Sequence, residues 1–203
     1  LQVGGYDVGS DGKDPEAATE SIAEPESLEV IEKKRKERVR EWIGLLKSEY
    51  LHFRWKAAEA LGELGDPESV EPLIAALHDP YVDVSWLAAR SLGKLGDTRA
   101  IEPLIGALRS PEKWLRAGAA WALGRLSDKR AADPLVQLVK DPKKIVRLRA
   151  IEALGAIGEE SARGSLQELL NDPDEEIRTA AVSALDTIRR KNEKAGSPSP
   201  GSG

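Results

Sequence analysis

The 203-residue chain carries 30 Lys and Arg against 35 Asp and Glu, a formal charge of −5, with 32% charged residues, 4% aromatic residues and no cysteine. The missing cysteine excludes disulfides, thiolate metal sites, Fe–S clusters and thiol nucleophiles. No apolar run approaches the ~20 residues that cross a bilayer, so a soluble, cytoplasmic chain with no membrane partner is expected.

Residues 1–24 are acidic and rich in Gly, Ser and Asp; up to residue 27 there are seven acids against the one base Lys13. So few large apolar groups cannot offset the entropy of ordering, and 1–24 reads as a disordered segment. The chain starts at Leu1 and holds no methionine, which leaves a removed leader open. With the acidic start set aside the body is close to neutral, which argues against capture of a polyanion.

A folded region is predicted over 25–192, opening on a charged helix with Val39, Trp42, Ile43 and Leu46 on one face. The run from Glu32 to Arg40, EKKRKERVR, interleaves acids with bases and reads as a solvated helix face. Then the chain repeats itself. Leu61, Leu92, Leu123, Leu154 and Leu185 stand 31 residues apart, as do Ala57, Ala88, Ala119, Ala150 and Ala181. A fixed period of that length means a solenoid of stacked units. The pairs Asp79-Pro80, Ser110-Pro111, Asp141-Pro142 and Asp172-Pro173 are read as N-caps that start one helix of each unit. Gly65, Gly96 and Gly158 are read as left-handed stops, with Asp66 and Asp97 opening the next helix.

Gly62, Gly93, Gly124 and Gly155 fall inside helices, where glycine costs ~1 kcal/mol, so they are expected where a neighbouring helix comes close. The last unit has Asp186 there, as suits a terminal cap with nothing packed on it. Beyond it, 193–203 has the Gly, Ser and Pro content of a disordered tail.

The runs AAEALGELGD, AARSLGKLGD and AAWALGRLSD resemble the HEAT-like repeats of phycobilisome lyases, and equally the artificial scaffolds idealised from archaeal members of that group. The resemblance implies an all-α, right-handed α-solenoid of about five two-helix repeats of 31 residues. It also implies that the second helix of each repeat lines a concave face and that binding falls between its core residues.

Spacing in the second repeat agrees: Val84, Ala88, Leu92 and Leu95 form one helical stripe, and Asp83, Trp86, Arg90 and Lys94 another on the opposite side. Four of the five tryptophans, Trp55, Trp86, Trp114 and Trp121, take such outward positions. Together they predict a pocket floored by Ala117 and Gly118, walled by Trp86, Trp114, Trp121 and Leu148, and rimmed by Arg90, Arg125 and Arg149. His52, Trp55, Leu87 and Lys94 complete the predicted partner-binding set, since clustered Trp and Arg beside exposed apolar surface mark interaction sites. The opposing reading is that the indoles lie flat on neighbouring repeats or cover a face for self-association.

Arg54, Arg116, Arg147 and Arg178 recur at the period and are expected to form ion pairs between repeats with Asp66, Asp97 and Asp128; Ser85 breaks the series, which makes room for Trp86 or a ligand. His52 and His78 occupy different repeat positions, which gives a metal site or histidine base nothing to build on, and no nucleotide or hydrolase motif is present. The expectation is a non-enzymatic scaffold without cofactor that binds a protein or peptide in a concave, tryptophan-rich groove, with no nucleic-acid partner. The alternative, invited by the family resemblance, is a bilin-lyase-like subunit that handles a tetrapyrrole.

Overall fold

The computed structural model describes residues 27–196. The segment 1–24 and most of the tail expected at 193–203 lie outside them, while 193–196 continue the last helix. Among the described residues ten α-helices follow one another: α1 (Leu28–Leu45), α2 (Leu51–Leu64), α3 (Val70–Ala76), α4 (Val82–Leu95), α5 (Ile101–Ala107), α6 (Lys113–Leu126), α7 (Ala132–Leu138), α8 (Lys144–Ile157), α9 (Arg163–Glu168) and α10 (Glu175–Gly196). They alternate between two layers, which makes five two-helix repeats in an all-α solenoid.

The even-numbered helices form the inner layer and pack on one another in sequence, α2 on α4, α4 on α6, α6 on α8 and α8 on α10. The odd-numbered helices α3 to α9 are short and each is led in by a 3₁₀ turn, whereas α1 is long; all of them pack chiefly on an inner helix. Layers spaced this way curve toward the side where the helices are closest, so the solvent side of the inner layer is concave. Between the layers, Leu61, Leu92, Leu123 and Leu154 meet Leu73, Leu104, Leu135 and Leu166 with all eight side chains fully buried. At ~25 cal/mol per Å² of apolar surface, this shared seam is the main term holding the stack together.

Close approach in the inner layer is visible at the glycines. A β-carbon on Gly93 would lie 2.8 Å from the Cα of Ala122, and one on Gly124 would lie 2.8 Å from the Cα of Ala153. Gly65, Gly96 and Gly158 end α2, α4 and α8 with φ of 67°, 73° and 84°, and Ser127 takes the same left-handed place after α6 at 51°. Asp66, Asp97 and Asp128 then accept a backbone N–H two residues on and start the 3₁₀ turns.

Two expectations are corrected. The Asp-Pro pairs do not cap the inner helices. Asp79 accepts from the Tyr81 amide at 2.9 Å and Asp141 from the Lys143 amide at 2.8 Å, closing a turn around each proline. The helices begin after Tyr81, Glu112 and Lys143, none of which makes a side-chain cap. Nor do the recurrent arginines pair with Asp66, Asp97 and Asp128. Arg54 binds both oxygens of Asp79, at 2.8 and 3.4 Å, and Arg116 both of Asp141, at 2.8 and 3.1 Å. The same guanidiniums donate to the loop carbonyls of Ser48 and Ser110, each at 2.8 Å, while Arg147 and Arg178 reach Asp141 O and Asp172 O at 3.0 and 2.7 Å. Long side chains near a helix start lean back toward its N-terminus, which puts the loops within reach and the aspartates at the far end out of it.

Gly124→Ala should destabilise the protein by about 1–3 kcal/mol in denaturant unfolding despite the better helix propensity of alanine, because the methyl meets backbone. Gly44→Ala, at a position with nothing within 4 Å of the added methyl, should instead be neutral or stabilising by up to ~1 kcal/mol. Burial pushes the Asp141 carboxyl up, but hydrogen bonds from Arg116 and the Lys143 amide, with the positive charge of Arg116 and Arg147, hold it below the ordinary aspartate value. Stability from this group is therefore complete above about pH 4 and is lost as the pH falls through the lowered value. Arg116→Ala should cost on the order of 3 kcal/mol at pH 7, and the cost should shrink in unfolding measured toward and below pH 4, where the stranded carboxyl takes up a proton.

Candidate functional site

On the concave side α4, α6 and α8 surround an open cleft of about 340 Å³, lined by Trp86, Arg90, Trp114, Ala117, Gly118, Trp121, Ile145 and Arg149. The repeat explains how these side chains meet. Trp86 and Ala117 hold equivalent places on adjacent helices, as do Arg90 and Trp121, and Trp114 and Ile145. Where these helices meet, Trp86 faces Gly118 of α6 and Trp121 faces Gly93 of α4.

Gly118 is the smallest residue of its series, the other members being Lys56, Leu87, Arg149 and Ala180. Its missing side chain lets the Trp86 indole lie across α6: a β-carbon there would stand 2.8 Å from Trp86 Cδ1. Trp121 leans the other way, over Gly93 on α4. Arg90 stands between the two rings, its Cζ 4.9 Å from the Trp86 ring centre and 5.7 Å from that of Trp121, and Arg125 lies 5.2 Å from the same Trp121 ring. Cation–π stacking of this kind contributes about 0.5–1 kcal/mol at exposed sites and holds the rings apart. Arg125 also donates to Gly93 O at 3.1 Å, which ties α6 to α4.

The predicted residues separate into three groups. Trp86, Arg90, Trp114, Ala117, Gly118, Trp121 and Arg149 share the cleft. Arg125 flanks it in an adjoining hollow, and Leu148 turns toward α10. Ile145 takes the place on the wall that was assigned to Leu148. The 31-residue interval from Trp114 to Ile145 was the available signal. Leu87 is 9% exposed and belongs to the core, not to the surface.

His52 packs on Phe53 with ring centres 3.9 Å apart, and Trp55 lies beside Lys56, both on α2 outside the cleft. Lys94 pairs with Glu63 at 3.8 Å across the α2–α4 contact. The reading of indoles lying on neighbouring repeats thus describes Trp86 and Trp121, which are half-buried, while Trp114 stays 48% exposed beside Lys113.

Three indoles and an isoleucine supply flat, polarisable walls, and Arg90 and Arg149 supply positive charge. Arg149 is shared with Glu152 at 2.7 Å, a half-exposed pair of little strength that an incoming anion can displace. Among the described residues no grouping of three or more His, Asp and Glu could hold a metal, and no helix is long and apolar enough to cross a membrane.

HEAT repeats match residues 39–117, 70–144 and 133–197. The chain belongs to the HEAT-repeat family. This HEAT-repeat chain is similar to a chain of the complex of CpcE and CpcF of phycocyanin lyase from Nostoc sp. PCC7120, with 31% identity, a TM-score of 0.69, and coverage of 76% of this chain and 66% of that one. The HEAT-repeat chain thus spans slightly less than two thirds of that relative. An engineered protein (24% identity, TM-score 0.58, 74% and 79% covered) and a designed armadillo repeat protein in complex with the peptide (KR)4 (20%, 0.59, 79% and 86%) share the fold. No curated protein matches.

Gly118→Ala should force the Trp86 indole out of its seat on α6. The near-ultraviolet circular dichroism and tryptophan emission should change while far-ultraviolet helicity is retained; unchanged aromatic signals would mean that the ring does not rest there.

Proposed function

We propose that this chain is a binding scaffold of the phycocyanin-lyase-subunit kind, which holds a partner polypeptide on its concave face and seats a flat conjugated group, a linear tetrapyrrole, in the cleft between α4, α6 and α8. The observation that carries this reading is the 31% identity to a chain of the CpcE–CpcF complex, which is higher than the designed repeat proteins reach on the same fold.

The cleft suits such an occupant. Indole faces stack on a conjugated system, and the guanidiniums of Arg90 and Arg149 offer paired donors to carboxylate side arms. At about 340 Å³ the cleft is near the lower end of ligand pockets and is open, so it seats part of a tetrapyrrole and leaves the rest for the partner chain to cover. Bond making is assigned to the partner or the complex, because the cleft is lined by no Ser, Thr, His, Asp or Glu that could act as nucleophile or general base.

A second reading keeps the surface and drops the pigment: the same cleft holds aromatic or acidic side chains of a peptide. The 48% exposure of Trp114 beside Lys113 favours it, because tryptophan is a frequent anchor of protein contacts and this indole is accessible, with a cation over its ring.

Titration with biliverdin separates the two. Saturable binding with a shift of the visible band and quenching of tryptophan emission is expected, weakened at least about tenfold (~1.4 kcal/mol) by Trp86→Ala and by Trp121→Ala at unchanged helicity. Absence of both the band shift and the quenching rejects the pigment and leaves the peptide reading.

A further inference from the structure

One rung of the arginine ladder is missing both of its members at once. The rung positions run Arg54, Ser85, Arg116, Arg147 and Arg178 on the inner helices, and the loop positions Asp79, Ser110, Asp141 and Asp172 follow each of the first four by 25 residues. Two rungs that hold both members are built alike, while Arg147 donates to Asp141 O without reaching Asp172. Arg54 donates to Ser48 O and Glu49 O, at 2.8 and 3.3 Å, and to Asp79 of the next loop; Arg116 donates to Ser110 O and Pro111 O, at 2.8 and 2.9 Å, and to Asp141. Both arginine side chains are 12% exposed.

At the rung between them serine replaces the arginine, and serine replaces the aspartate it would meet. Ser85 is buried and turns its hydroxyl back to Val82 O at 3.2 Å. The carbonyls of Asp79 and Pro80, the counterparts of those that hold Arg54 and Arg116, therefore face a space without the arginine. That space is a cleft of about 560 Å³ between the loops, and it shares no lining residue with the tryptophan cleft.

We propose that this vacant rung is a binding site for an arginine side chain of a partner polypeptide, whose guanidinium takes the position that the protein's own arginines occupy in the neighbouring rungs. The walls fit a side chain and not a bare ion. Pro80, Pro103, Pro111 and Leu115 flank the opening and can cover an aliphatic stem, while Asp79 O and Pro80 O accept from the head.

The acid lost at Ser110 is replaced two residues on. Glu112 lines the cleft at the repeat position where Tyr81 covers Arg54, 5.2 Å from its Cζ, so a carboxylate stands where another rung has a ring. Bases also face the cleft, His78 and Arg109, but they are no barrier. Arg116 sits in its own rung with Arg109 and Lys140 at the equivalent positions. Asp79 faces the cleft too, with its carboxylate already held by Arg54. Four arginines placed against the equivalent loop carbonyls by the same fold state what the remaining position of the series is shaped to receive.

The test is a titration followed by amide NMR with N-acetyl-arginine methylamide, with N-acetyl-lysine methylamide and low-millimolar guanidinium chloride as the other arms. Saturable shifts are expected for the blocked arginine at Tyr81–Ser85 and Ser110–Glu112. Weaker shifts are expected for guanidinium and none for the lysine. Ser85→Arg should fill the rung and abolish them, Ser110→Asp should tighten binding several-fold, and Ser85→Arg with Ser110→Asp should raise Tm by about 3 °C or more. No saturable shift with the blocked arginine, or shifts that persist in a folded Ser85→Arg variant, would overturn the site. Guanidinium binding as tightly as the blocked arginine would overturn its assignment to a polypeptide.

Discussion

Between successive inner helices there is no room for a side chain at one position of the repeat: a β-carbon on Gly93, Gly124 or Gly155 would stand 2.8, 2.8 and 2.9 Å from the Cα of Ala122, Ala153 and Ala184. The first contact of the series, Gly62 with Ser91, is as close, and Ser91 donates to Ala58 O at 2.7 Å across it. Glycine in a helix is unfavourable by about 1 kcal/mol relative to alanine, and four of them are kept because backbone contact sets the spacing of the inner layer. That spacing brings the outward stripes of α4, α6 and α8 close enough for Trp86 to lie on α6 and Trp121 on α4. With bulkier residues the indoles would stand apart on a flatter surface.

Regular and irregular parts of the repeat do different work. The buried Leu, Ala and Gly columns and the Arg–Asp rungs hold each repeat to the next, so that stability accumulates between neighbours as it does in solenoids generally. Both recesses discussed above arise where a column is interrupted. The tryptophan cleft exists because Gly118 stands in a column of larger residues and Trp121 stands in a column of polar ones, Glu59, Arg90, Glu152 and Ser183. The edge cleft exists because Ser85 and Ser110 empty a rung that is filled on either side. The two openings lie on different faces of α4 and α6, so one polypeptide long enough to pass along the edge could engage both.

Fold and repeat were legible because the period is strict and each recurrent residue has one mechanical use: leucine in the seam, glycine at the contact, left-handed glycine at the helix end. The partners of the arginines were not legible in the same way. At a fixed period Arg54 is in constant register with Asp66 and with Asp79 alike, and periodicity does not choose between them. Direction does, since Asp66 lies at the far end of α2, on the order of 18 Å away along the axis, while Asp79 lies in the loop toward which the side chain leans. Ile145 is on the cleft wall and Leu148 is not, because Leu148 turns sideways toward α10. Leu87 was misplaced for a further reason: at the edge of the outward stripe a residue one step from Trp86 is covered by the next helix, which only the spacing of the stack reveals.

A double-mutant cycle across one inner-layer contact, Gly93→Ala, Ala122→Gly and the pair, followed by denaturant unfolding and by the near-ultraviolet signal of the tryptophans, tests the backbone contact most directly. The single Gly93→Ala change should destabilise the protein and disturb the aromatic signal of Trp121. Adding Ala122→Gly should restore much of both, with a coupling of ~1 kcal/mol or more. Effects that add to within about 0.3–0.5 kcal/mol would contradict a stack held at that point.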